Sequence, residues 1–137
     1  MKRVSFFILV LVLSSLLLSA CGAKTETVEK TPPSVVEAIE GSDLSRVILT
    51  EKAAERLGIE TVPASGKEVP YAAVIYDIEG NTWIYTNPEP LTFVRSPIEV
   101  DYIEGDTAFL AQDLESNLPV VTVGVSELYG TETGVSK

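Results

Sequence analysis

The chain has 137 residues, with 20 acidic against 10 basic side chains, one cysteine and no histidine. A formal charge of −10 excludes a nucleic-acid binder, whose partner is itself an anionic backbone, and a surface that holds anionic lipid by charge. The missing histidine removes the usual neutral-pH base, the Ser-His and Cys-His nucleophile pairs and the commonest transition-metal ligand.

In chain order, Lys2 and Arg3 give a basic start and Val4 to Leu18 an apolar run broken only by serines. Small residues then precede Cys21, so residues 1–20 read as a secretory leader. The run is short for a membrane span, which needs about 20 apolar residues. Leu18-Ser19-Ala20-Cys21 resembles the lipobox of bacterial lipoproteins, which implies cleavage before Cys21 and lipid on its sulfur. Lipidation also accounts for a lone cysteine in an oxidising compartment. The leader takes two of the basic residues and none of the acidic ones, leaving eight basic against twenty acidic, a charge of −12. The only membrane contact expected is therefore the lipid anchor, with the domain outside the cytoplasm.

Residues 21–43 are polar and carry Pro32-Pro33, which predicts a flexible tether. Within it, Ser34 followed by Glu37 at capping-box spacing suggests a short helix. The folded domain is expected over 44–137. "SRVIL" reads as a strand, and "TEKAAERLG" as a helix capped by Thr50 and closed by Gly58. Strands follow at Ile59–Ala64, Val69–Tyr76 and Thr82–Thr86, with Ser65-Gly66-Lys67-Glu68 closing a hairpin between the first two. Val69–Tyr76 is apolar on both faces and is expected to be central. A long strand, Leu91–Ile103, contains Pro97, which marks an edge or a bulge. Its alternation puts Val94, Ile98, Val100 and Tyr102 on a buried face and Arg95, Glu99 and Asp101 on a wet one. Thr107–Ala111, a turn over Gln112–Asn117 and a last strand at Leu118–Val123 complete the pattern. The expected fold is mainly β, a small antiparallel β-roll or barrel of about six strands with one short helix.

Little in this pattern points to catalysis or a cofactor. "DIEGN" offers Asp77, Glu79 and Asn81 at alternate positions, but the further ligands of a calcium loop do not follow, so a turn is the better reading than a metal site. Nothing selects a carboxylate pair for glycoside cleavage. Trp83, Tyr85, Phe93, Tyr102 and Phe109 read as core residues rather than a stacking platform.

"VPYAAVIYDIEGNTWIYTNPEPLTFVRSPIEVDYIEGDTAFL" and the closing "VVTVGVSELYGTETG" resemble the membrane-proximal domain of periplasmic adaptor subunits, or membrane fusion proteins, of resistance-nodulation-division efflux pumps. The resemblance spans about Val69 to Val135, and "VILTEKAAERLGIETVPA" resembles the N-terminal piece of the same domain. It implies that the family's distal domains are missing here and that Ser65–Glu68 directly joins the two halves. The family's Gly-Leu-x-x-Gly-Asp stretch is replaced by Asp113-Leu114-Glu115-Ser116-Asn117-Leu118, in which Asn117 can still turn left-handed. The methionines and histidines of metal-transporting members are absent from the mature chain. The implied role is a non-catalytic accessory domain docking on an efflux-type transporter or a full-length adaptor, with Arg95, one of few cations on the domain, as candidate contact. The rival role is a free-standing envelope lipoprotein using the same fold to bind a small ligand or another envelope protein.

Overall fold

A computed structural model describes residues 31–134. The leader, Cys21 and the tether up to residue 30 lie outside the described residues. The described residues form eight strands in one antiparallel sheet and two α-helices, a mainly β fold as expected, but open rather than closed into a barrel.

The strands are β1 (Ser34–Ala38), β2 (Ser45–Leu49), β3 (Glu60–Pro70), β4 (Ile75–Tyr76), β5 (Thr82–Glu89), β6 (Thr92–Ile98), β7 (Val100–Glu104) and β8 (Thr107–Val123); the helices are α1 (Glu51–Leu57) and α2 (Val125–Thr133). The sheet runs β1-β2-β6-β5-β8-β3, with β4 on β5 and β7 on β8. Helix α1 forms as its sequence dictates. Thr50 accepts a hydrogen bond from the Ala53 amide, and Gly58 ends the helix at φ 61°, a left-handed angle that glycine adopts without a Cβ penalty.

Burial explains the order of the strands. Neighbouring residues of β5 and β8 point into two different cores. Tyr85 and Val121 join Val47, Leu49, Phe93, Val125 and Leu128 beneath the helices. Ile84 and Val120 join Ala64, Val69, Ala73, Ala108 and Leu110 on the opposite face. A strand with period 2 can be apolar throughout only when both of its faces are covered. That condition is met at β5 and β8, not at 69–76, which is divided among the end of β3, a 3₁₀ turn at Tyr71–Ala73 and the two-residue β4.

Four further expectations are corrected. Residues 34–38 form neither tether nor helix: β1 pairs with β2 along its whole length, so the folded unit begins near Pro33. The opposing β2 supplies backbone partners for Val35 and Glu37, and the chain around it for the Pro33 carbonyl and the Ile39 amide, whereas a short isolated helix leaves its terminal groups unpaired. Ser65–Glu68 closes no hairpin. The runs on either side both pair with β8, and Gly66, at φ 68°, sits between two register shifts in a single eleven-residue strand. A left-handed glycine that absorbs a register shift is a bulge, so the junction kinks the strand without reversing it. Gln112–Asn117 is likewise taken into β8, with Asn117 left-handed at φ 58°. The long strand breaks at Glu99, whose carbonyl accepts from Ala111, and β7 leaves β6's partners to pair with β8. Pro97 falls beyond the three-residue contact of β6 with β2, on an open edge where its missing N–H costs no ladder bond.

Candidate functional site

The sheet places Arg95 on the face that the helices cover. Arg95 stands opposite Tyr85 on β5, and Trp83 stands opposite Pro97 two residues along the same face. Helix α2 closes over them. Val125, Leu128, Tyr129 and Glu132 recur at the i, i+3, i+4 and i+7 spacing of an inward stripe. The Arg95 side chain is therefore only 13% exposed, and its Nε lies 3.3 Å from the Glu132 carboxylate, itself 5% exposed. The Nε–H is not aligned for a hydrogen bond at that distance, so the contact is an ion pair by charge alone. The guanidinium carbon lies 4.3 Å from the Trp83 ring centre and 5.5 Å from that of Tyr129, a cation held between two aromatic faces.

Tyr85, fully buried, donates its hydroxyl to the same Glu132 carboxylate. Burial first, and then the hydrogen bond and charge of Glu132, push its phenol far above the ordinary range, so it stays a donor at every physiological pH. Arg95, expected on a wet face beside Glu99 or Asp101, instead ties β6 to α2, and its guanidinium is occupied by internal contacts. The sequence signal for α2 was its apolar stripe, obscured by threonine and glycine. Thr131 and Thr133 return their hydroxyls to the carbonyls four residues back, which satisfies side chains that otherwise compete with helix.

At the rim of this cluster, "DIEGN" forms a turn. Asp77 accepts from the amides of Glu79 and Asn81 on one oxygen, and from the Asn81 amide group and Trp83 Nε1 on the other, each at 2.9 Å. The Asn81 side chain, then Trp83 and the backbone amides, lower the Asp77 pKa to about 2. Its lone pairs are directed at donors, which favours the turn over a cation. Among the described residues no group of three or more acidic, histidine or cysteine side chains is placed to hold a metal ion.

Beside the rim lies an open-sided groove of about 780 Å³, lined by Tyr76, Trp83, Glu99, Asp101, Tyr102 and Ile103 among others. Tyr102 is half exposed and stacks on Phe109 at 4.5 Å between ring centres, so this aromatic pair is a surface feature, not core. Trp83 and Phe109 are half-buried, while Tyr85 and Phe93 are core as expected. Tyr71 and Tyr76 are also exposed, and Ile78 at the loop tip is 99% exposed. The lining contains two carboxylates and no cation.

Compared with known proteins, the chain matches no family model, no curated protein and no solved structure.

Proposed function

We propose that the chain is a non-catalytic, lipid-anchored domain of the cell envelope, held outside the cytoplasm through Cys21, that docks on an efflux-type transporter or on a full-length adaptor. The observation that carries the docking reading is the exposed group Tyr76, Tyr102 and Ile103 lining one groove, with Ile78 exposed on the adjoining Asp77 turn. Aromatic and aliphatic side chains gathered at one place on a small acidic domain are what a protein interface uses, and a monomer rarely leaves them bare. Both cores are filled by the chain's own side chains, and the grooves are open-sided, whereas a small-ligand role asks for an enclosed apolar cavity. The efflux partner is inferred from the resemblance over Val69 to Val135.

The test is in-cell crosslinking followed by a mild-detergent pull-down and mass spectrometry, with Tyr76→Glu/Tyr102→Glu as the contact variant. Both rings are surface-exposed, so the fold is expected to survive. Recovery of a transporter or adaptor with the wild-type chain and its loss with the variant support docking. Recovery of neither by the wild-type chain sinks it. Arg95 is unsuitable for this test because reversing its charge would strand Glu132 inside the fold. For the anchor, Cys21→Ala is expected to leave the precursor uncleaved or release it from membranes, and a processed variant that still partitions with membranes would rule lipidation out.

A further inference from the structure

We propose that the open edge of β1 is a self-complementary interface through which two copies of this chain pair, two-fold related, into a continuous antiparallel sheet. The inference stands apart from transporter docking and uses a sheet edge that lines no part of that groove. Hydrogen bonds from the Thr50 amide to the Pro33 carbonyl, and from the Ile39 amide to the Leu44 carbonyl, fix which residues of β1 face β2. With the register Val35↔Ile48 and Glu37↔Arg46, the odd-numbered residues bond inward. Ser34, Val36 and Ala38 therefore turn both backbone N–H and C=O outward, where no strand among the described residues meets them.

The other edges are protected. Edge strand β3 carries Pro63, Lys67 and Pro70 and shifts register three times, and β7 carries Asp101 and Glu104. Bulges, prolines and charges are how edges avoid pairing. Edge strand β1 has an unbroken register, no proline and no lysine, and shows Val35 and Val36 at 45% and 42% exposure. Its only charge, Glu37, stands opposite Arg46 of its own sheet, so this edge escapes the acidity of the rest of the chain.

The sequence then selects one register. Two antiparallel copies centred on Val36 set Val36 against itself and Ser34 against Ala38, so every outward group meets an outward group. Glu37 falls opposite Val35. Centring on Val35 brings in Pro32, which has no N–H to give. Centring on Glu37 sets two carboxylates face to face, which destabilises a strand pair. Such an interface is isologous, so it closes at two copies and leaves no free β1 edge to propagate.

Sedimentation velocity of the full-length chain in mild detergent, with Val36→Cys and Val35→Cys variants under mild oxidation, tests the register. Residues paired across the two-fold lie about 5.5 Å apart at Cα, within disulfide reach. Val36→Cys is expected to give a disulfide-linked dimer, beyond anything the wild-type chain gives through Cys21. Val35→Cys, offset by two residues from its copy at about 7–8 Å, is expected to give none. Wild-type protein should show a concentration-dependent doubling of mass that Val36→Lys abolishes; Val36→Pro, which removes only an outward N–H, should act alike. A monomer at all concentrations, a dimer indifferent to Val36→Lys, or crosslinking of Val35→Cys in preference to Val36→Cys each overturns the proposal. So does crosslinking of Val36→Cys to a different protein only, since the edge would then belong to another partner.

Discussion

Strands β5 and β8 have two faces that the protein finishes by different chemistry. On the strand-covered face, Ala64, Ala73 and Ala108 let backbones approach Ile84 and Val120 closely, and nothing in that core is charged. On the helix-covered face, Tyr85, Val121 and Phe93 meet α1 and α2, and an arginine and a glutamate are enclosed at the margin. The first face depends on shape alone. The second depends on a set of polar partners of which each is costly to leave without the others. The comparison teaches that a single strand can carry both solutions at successive residues, because alternation sends Ile84 and Tyr85 to opposite sides.

The largest expected effect comes from breaking the polar cluster. Glu132→Ala leaves Arg95 enclosed without its counter-charge and Tyr85 without an acceptor, and is expected to cost about 3 kcal/mol in urea unfolding. Hydrogen exchange should show amides around Val47 and Phe93 opening while those of Ala108 and Leu110 stay protected; equal loss on both faces would mean that the two cores act as one unit. Next comes the corner that joins β8 to α2. Gly124 has φ 84°, and a Cβ there would lie 2.2 Å from Ile59 Cδ1. Gly124→Ala is therefore expected to cost about 2–3 kcal/mol, from left-handed strain and overpacking together, read as a lowered denaturation midpoint. On the strand-covered side, Asn117→Ala should cost about 1 kcal/mol because φ 58° disfavours a Cβ-bearing residue without a local hydrogen bond, whereas Asn117→Gly should not. Matching thermal melts for the two would show that the bulge tolerates another conformation.

The smallest effect is a matter of pH. Asp77 is depressed in the folded chain to about 2 from an ordinary 3.8, so what its ionised form contributes is complete above about pH 4 and is lost as pH falls through about 2. Trp83, the single tryptophan, donates to that carboxylate, so its fluorescence should report the step with a midpoint near 2. Asp77→Asn should abolish the step; an unchanged titration would assign it to another group.

Much of the local structure was legible in the residues. Thr50 and Gly58 bounded α1, and Asp77, Gly80 and Asn81 marked a turn, because caps and turns are satisfied by side chains within a few positions. The partners were not legible. Arg95 looks wet on its own strand because its period-2 face holds Glu99 and Asp101, and only the docking of α2, with the chain break at Glu99, separates it from them. Tyr102 looks buried by the same count and becomes exposed once β7 leaves β6. The exposed groove went unread because its shape depends on the break at Glu99, which turns β7 from β6 to β8.

By itself the sequence determined the β-rich class, the first helix and its caps, the turn at Asp77 and the exclusion of histidine-based chemistry. All of these depend on residue type or on neighbours within a turn. Only the tertiary structure decided that Ser65–Glu68 is a kink, that residues 34–38 are an edge strand and that Arg95 faces inward. Each of those outcomes turns on which distant backbone or side chain completes a residue's hydrogen bonds and covers its apolar surface, and period-2 patterning is the same whichever partner arrives.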